Sequence, residues 1–596
     1  MKKDPPPGAE EHHFSPRPNQ AHLINWHFWD DDAFNRARKE DKPVFLSISA
    51  TWCHWCHVFD ETTLSDTEVI KLLNREFIPI RVDADKNPHI QNRYLSGGWP
   101  TSAFLTPTGD TIASGTYMKP DDFKKLAQKV SMYYKAHKGK LYATIAHSKV
   151  KKSLDRESRQ IPEGEPAKEI ADHVVGIIKD MFDPVYGGFG NEPKFPQQEA
   201  IELLLAEYHT SGDKELLDMA TKTLDSMMKS TLWDEVEKGF FRYSTRMDWS
   251  VPHYEKMLEG NAGFLKDYIL GYQVTGKKDY RRVAEEIISY VDTSLSSPEG
   301  GFYGSQDADE EYYKLDGREK KTPPKVDTHI YSNWNGLVIS QYIRAYQALG
   351  RKAYLDRAVK ALEYLTARAH KTGTGMYHYT VNGEVKLSGL LVDQVYMADA
   401  LISAYETTMN RKYLETATGI INRAIKDLWD PCRGGFFDIP EESARIGHLA
   451  FREKPLLENA QAVRVLNRLF YLTGKDNFHE FAGMALKTFL NSYRDYSIQA
   501  ASYALAVIEY LNHPVQVTII GPKEDARTLA LHNEGLRFFL PWKVIQVLDP
   551  ETDPLQLGPI TYSPAEEPLA YGCREGACSP PMRTPAELRD FMKGKQ

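Results

Sequence analysis

The chain has 596 residues, with 74 lysines and arginines against 82 aspartates and glutamates and a net charge of −8. The two signs are interspersed, which excludes the broad basic field that nucleic acids need, and no apolar run reaches the roughly 18 residues that span a membrane. Five cysteines in so long a chain exclude a disulfide scaffold, and the length predicts more than one domain. Met1-Lys2-Lys3-Asp4-Pro5-Pro6-Pro7 lacks the apolar core of a secretory leader, so a reducing, cytoplasmic setting is the expectation.

Residues 1–22 are polar and Pro-rich and read as a surface arm. Residues 23–147 read as an α/β domain, opening with a helix from Asp30 to Lys39. Val44-Phe45-Leu46-Ser47-Ile48 has the length and apolar content of a buried strand. It ends at Ala50-Thr51-Trp52 and gives way to Cys53-His54-Trp55-Cys56, then His57, Val58 and Phe59. Two cysteines two residues apart at a strand-to-helix junction place the first sulfur over unpaired backbone N–H groups. The positive end of the helix favours thiolate, the reactive form. Rival readings are the C-x-x-C-H pattern of haem attachment, a zinc site using His54 and His57 as further ligands, and two structural thiols. We read disulfide exchange, with no metal and no cofactor.

Phe77 to Asp83 reads as a second strand. Gly97-Gly98-Trp99-Pro100-Thr101 precedes a third, Ser102 to Leu105, which stops at Pro107-Thr108-Gly109. This order resembles the thioredoxin fold, and the resemblance implies a cis Pro100 facing the two sulfurs. On that reading Cys53 attacks, Cys56 resolves the mixed disulfide, Pro100 shapes the docking surface and Trp52 covers the sulfurs. His54, between the cysteines, is expected to stabilise the thiolate and to raise the reduction potential above the about −270 mV of thioredoxin. The partner is a protein thiol or disulfide.

A charged, Pro-containing linker is expected over 148–166. From 167 to 512 the pattern becomes about twelve amphipathic helices. Between them recur similar loops: Gly187-Gly188-Phe189-Gly190, Gly239-Phe240-Phe241, Gly300-Gly301-Phe302-Tyr303, Gly375-Met376-Tyr377 and Gly434-Gly435-Phe436-Phe437. A repeat of roughly 50 to 75 residues argues for stacked helical hairpins. Six closing on themselves would form an (α/α)6 toroid with an aromatic-lined mouth; an open solenoid is the alternative. The loops hold polar clusters that converge if the ring closes: His253, Glu255 and Lys256; Asp307 and Asp309; Asn335; Asp393; Glu458. A carboxylate at a helix start is ordinarily a cap. Several around one rim, with a histidine and aromatics, suit acid–base work on a sugar or proton abstraction beside a carbonyl, as in an epimerase. A toroid that binds a glycan, a small molecule or a client without turning it over is the third reading.

Residues 513–596 read as a small α/β region. It holds a clear strand, Val515 to Ile520, a helix from about Glu524, an apolar run at Val544 to Leu548, and a tail with Cys573 and Cys578. That pair is either a second dithiol or two surface thiols, and Cys432 is expected to be packed. The fold class is therefore multidomain: an α/β thioredoxin-like N-terminal domain, an all-α (α/α)6 toroid and a small C-terminal α/β appendage.

Six stretches carry a broader resemblance: Thr51 to Val58, Gly97 to Thr101, Asn191-Glu192-Pro193-Lys194-Phe195-Pro196, Val251 to Leu258, Ser305-Gln306-Asp307-Ala308-Asp309 and Ser332 to Leu337. By these the chain resembles, over nearly its whole length, the thioredoxin-domain family that includes spermatogenesis-associated protein 20. The resemblance implies a DsbH-like thioredoxin module ahead of a six-hairpin toroid similar to N-acylglucosamine 2-epimerases and related glycosidases. The family usually carries a long insertion between Asp309 and Asn333. Only a short Lys- and Pro-rich segment stands here, so a more open rim is expected.

Overall fold

The computed structural model describes residues 12–158, 162–315, 317–564, 566–574 and 577–594. Residues 1–11 of the expected arm, 159–161 of the expected linker and Glu575-Gly576 of the tail lie outside the described residues. The chain forms two compact units. The first takes the N-terminal part through Ser158 together with 306–327 and 439–453; the second takes the rest.

In the first unit the apolar run becomes strand β1 (Val44–Ser49), buried at every residue. It pairs in parallel with β2 (Ile78–Asp83) and antiparallel with β3 (Thr101–Leu105), which pairs in turn with β4 (Thr111–Gly115). The sheet order is β2-β1-β3-β4, a thioredoxin-like arrangement. Phe45, Phe59, Phe77, Phe104 and Phe123 fill its core. Register fixes the chemistry: Ile48 pairs with Thr101, so the exit of β1 and the residue before β3 meet at one end of the sheet. The expected linker is helical only in its first part: the helix Pro120–Ser158, with one non-helical residue at His137, runs into it, and residues 162–166 are irregular.

Residues 439–453 join this unit through a close backbone approach. The Tyr94 hydroxyl donates to the Gly109 carbonyl at 2.6 Å and accepts from the His448 N–H at 2.9 Å, with the two rings stacked 4.7 Å apart. A Cβ on Gly447, whose φ is 57°, would lie 2.4 Å from the Gly109 oxygen. Only glycine fits there.

The second unit is the toroid. Six helices pack in sequence as an inner ring: Gln198–Ser211, Leu258–Thr275, Ser332–Leu349, Leu391–Thr408, Leu456–Thr473 and Ala501–Leu511. The last packs back on the first, so the ring closes and the solenoid alternative fails. Long helices between them in sequence, such as Lys278–Ser294 and Arg411–Leu428, bury one face each against the ring.

Four of the five Gly-aromatic loops are each held by an amide on the next inner helix. Asn261 accepts from the Phe240 N–H at 2.8 Å and donates to the Phe240 and Met257 carbonyls at 3.0 Å. Asn335 does the same to Phe302 and Tyr331, Gln394 to Met376 and Leu390, and Asn459 to Phe436 and Pro455. A second device recurs: a lysine ion-paired to a loop aspartate, as in the buried Lys194–Asp183 and Lys256–Asp234 and the half-buried Lys454–Asp430. The toroid axis carries charge of both signs. Glu202 accepts from Lys266 at 2.6 Å and from Arg464 at 2.9 Å, and Arg464 also reaches Glu509.

The C-terminal strands Val515–Ile520, Lys543–Leu548, Leu569–Arg574 and Ala577–Cys578 form one sheet within the second unit. Cys573 and Cys578 face each other across it and are joined as a disulfide, not left as two surface thiols. Cys432, expected to be packed, is exposed, because it sits in the turn whose N–H groups bind Asp430. Among the described residues no helix is long and apolar enough to cross a membrane.

Candidate functional site

Cys53 is the N-cap of the helix His54–Glu61, and its Sγ accepts from the Cys56 N–H at 3.2 Å. Cys53 and Cys56 are joined as a disulfide with their Cα atoms 5.2 Å apart, and both are buried. The Trp99–Pro100 bond is cis, as the resemblance implied, and Pro100 directly precedes β3 beside the exit of β1. Trp52 is buried and packs edge-to-face on Trp99, with centroids 5.4 Å apart. Its indole N–H donates to Asp85 at 2.7 Å. Trp55 is exposed and packs against Tyr117. Its position between the cysteines was the one sequence signal for it.

Beneath the disulfide the helix is polar. Asp60 is bidentate with Arg81, both oxygens at 2.8 Å, and the pair is buried. The Arg81 guanidinium lies 4.8 Å from the ring centroid of Phe14 in the N-terminal arm. His57 is buried, and its Nε2 lies 3.1 Å from the Thr51 carbonyl. Burial, before any charge effect, pulls its imidazole down to about 4. His13, whose ring centroid is 6.2 Å from that of His57, is pulled down to about 3 by the same cause.

Two carboxylates expected at the toroid rim group with this unit. Asp307 Oδ1 lies 3.7 Å from His57 Nδ1, and both side chains are nearly buried. Asp309 accepts from the Tyr312 N–H at 3.0 Å, capping the short helix Glu310–Tyr313. Glu310, from that helix, stands 3.9 Å from His54. The segment after Asp309, expected to leave an open rim, thus packs with the redox module. No local pattern in the sequence announces a contact between residues 57 and 307.

Of the remaining toroid candidates, Lys256 and Asn335 have architectural partners, in the Asp234 ion pair and the Phe302 clamp described above. His253 bonds Glu255 through Nδ1 at 2.8 Å and stacks on Tyr243 at 4.8 Å. Burial, then the Glu255 charge, pushes the Tyr243 phenol up to about 12. Asp393 pairs with His378, both oxygens 3.0 Å from Nδ1, and accepts from the Asn333 N–H. Burial raises the Asp393 carboxyl against the pull of His378. Glu458 is pushed up to about 7, by burial first and then by Asp438 and Glu259. His378 escaped the sequence reading because it lies in the strand Gly375–Val381, where Tyr377-His378-Tyr379 looks like ordinary strand filling.

These features define a thioredoxin-like module with a helix-capping disulfide, joined in one chain to a closed helical toroid. Residues 15–154 match the Thioredox_DsbH family model, described as a protein of unknown function, DUF255. Over nearly its full length the chain is similar to spermatogenesis-associated protein 20 of Homo sapiens, with 24% identity over 96% of this chain and 90% of that protein. Among solved structures, a D-mannose isomerase is similar to 59% of this chain and 99% of its own, with 13% identity and a TM-score of 0.49. The cellobiose 2-epimerase of Bacillus thermoamylovorans is similar to 55% of this chain and 88% of its own, with 12% identity and a TM-score of 0.45.

Proposed function

We propose that the chain is a thiol–disulfide oxidoreductase acting through Cys53 and Cys56 on a protein partner in a reducing, cytoplasmic setting. The observation that carries this is the Cys56 N–H aimed at the Cys53 sulfur at 3.2 Å, at the positive end of a helix. The same amide would stabilise a thiolate there. In the reducing direction the Cys53 thiolate attacks one sulfur of a client disulfide, and the other sulfur leaves as a thiolate. The Cys56 thiolate then attacks the Cys53 sulfur, and the second client thiolate leaves. Two electrons pass to the client, and the Cys53–Cys56 bond forms. A dithiol reductant must reopen that bond for the next turnover.

On this reading Pro100 shapes the docking surface, Trp52 covers the sulfurs and His54 tunes the thiolate. Reduction of insulin by dithiothreitol tests the reading. The wild-type chain should accelerate it, and Cys53→Ser should return the rate to background. An unchanged rate in the variant defeats the proposal.

A second reading concerns the toroid. His253–Glu255 and His378–Asp393 are imidazole–carboxylate pairs that form no part of the repeated loop locks. We read them, with Glu458, as an acid–base set for a small polyhydroxylated ligand, either turned over or only bound. Incubation with a panel of aldoses, followed by NMR, separates turnover from binding. Loss of turnover in His253→Ala with insulin reduction intact assigns the toroid its own chemistry.

A further inference from the structure

Cys53, His57 and Asp60 fall at i, i+4 and i+7, so they lie along one face of the helix that carries the disulfide. Asp60 is committed to Arg81. His57 is held differently. A carbonyl oxygen only accepts, so the Nε2 atom 3.1 Å from the Thr51 oxygen carries the ring's hydrogen. In the neutral ring Nδ1 is then a lone pair, and it faces Asp307 Oδ1 at 3.7 Å. Burial keeps the resting ring neutral, but a proton delivered to Nδ1 would be stabilised by the carboxylate that faces it.

Among the described residues, the other charged or titratable groups acting on or beside His57 are His13 from the arm, His54 and Glu61 on its own helix, and Arg81 on β2, while Arg17 of the arm reaches Asp309 at 3.9 Å. Lys325 and Asp327, from the same segment as Asp307, act on His13. Arg81 is bound to Asp60, and Glu61 accepts from the Ser15 hydroxyl at 2.6 Å.

We propose that Asp307, carried to the redox module by the segment 306–327, acts through His57 as the proton-accepting positioning pair for Cys53. It rests on the exchange chemistry proposed above. When reduced Cys53 prepares to attack, its S–H bond breaks. The sulfur keeps the electron pair, and the proton passes to the His57–Asp307 pair, leaving an imidazolium beside a carboxylate. When the client's sulfur leaves as a thiolate, that proton is returned to it. No electron moves in either transfer. Asp307 fixes the acceptor's orientation and charge, and the Thr51 carbonyl prevents the ring from flipping.

The test is the pH–rate profile for attack of the reduced full-length chain on 5,5′-dithiobis(2-nitrobenzoate), with Cys56→Ser, Cys432→Ser, Cys573→Ser and Cys578→Ser as background so that only Cys53 reports. In this background Asp307→Asn should move the midpoint up by about one pH unit, so the rate at pH 7 falls about tenfold and converges with the parent above pH 9. Asp307→Glu should restore the parent profile. His57→Gln keeps a donor for Thr51 but cannot take the proton, and should reproduce the Asn profile; it serves if Asp307→Asn fails to fold. A profile that superimposes on the parent, shifts downward, or falls equally at every pH overturns the inference. A parent chain whose Cys53 reacts no faster than free glutathione instead sinks the oxidoreductase reading itself.

Discussion

The two units use the same side chains in opposite ways, and repetition tells them apart. In the toroid an amide occupies the fourth residue of four inner helices, as Asn261, Asn335, Gln394 and Asn459, and every one clamps a loop aromatic or methionine. The third residue does not repeat: Gly260, Trp334, Asp393 and Glu458. A polar group that recurs with the same partners builds the ring, and one that appears once is free to serve a ligand. The redox module has no repeats. Its polar groups are singular throughout: Cys53, His57, the Asp60–Arg81 pair, and Asp307 from far along the chain. The contrast also separates two imidazole–carboxylate pairs. His378 and Asp393 are in direct contact at 3.0 Å, while His57 and Asp307 stand 3.7 Å apart.

The sharpest way to break the comparison is to remove a singular group and a repeated one and read both activity and stability. Cys53→Ser should abolish insulin reduction with little change in melting temperature. A variant that keeps measurable turnover would move the chemistry elsewhere. Lys256→Met should do the reverse. It leaves Asp234 buried without its ion partner, at a cost of about 3–5 kcal/mol, and should leave the Cys53 exchange rate as it was. Urea denaturation followed by circular dichroism reads the first effect. A loss below about 1 kcal/mol would show that the recurring lysine is dispensable.

Asn335→Ala comes next. It deletes three hydrogen bonds and leaves the Phe302 N–H and carbonyl buried without partners, which should cost about 2–3 kcal/mol. Asn459→Ala should match it closely, since the partners correspond one for one. Unequal losses would mean that one clamp also serves a ligand.

Much of this was legible from short-range pattern. The buried strand, the C-x-x-C at a helix start, the proline before β3 and the Gly-aromatic loops all lie within windows of a few residues, where periodicity and turn chemistry act. The ring's closure was expected from loop similarity, and it shows in the packing of Ala501–Leu511 on Gln198–Ser211. Contacts across hundreds of residues were not legible. Asp307 lies in the sequence between toroid helices, and nothing beside it signals that its carboxylate meets a histidine near residue 50. Asp393 was singled out while His378 was passed over, because the pairing joins a strand to a helix start. Asn335, a candidate site residue, also clamps Phe302, which one loop taken by itself does not reveal. Aligning the four helix starts, an operation on sequence alone, would have exposed the clamp.

The smallest expected effect tests the third position. Glu458 is pushed up to about 7, mainly by burial, against an ordinary value of about 4.3. The folded chain therefore holds this proton where the unfolded chain has released it. Stability from this group is complete below about pH 4 and declines as pH rises to about 7, where the folded group also ionises; above that the penalty is constant. Glu458→Gln cannot ionise, so its melting temperature should match the wild type at about pH 4 and exceed it at pH 8. The opposite ordering at pH 8 would mean that the glutamate has a cationic partner when folded. It would then belong with the ring's ion pairs, and the distinction between third and fourth positions would collapse at that helix.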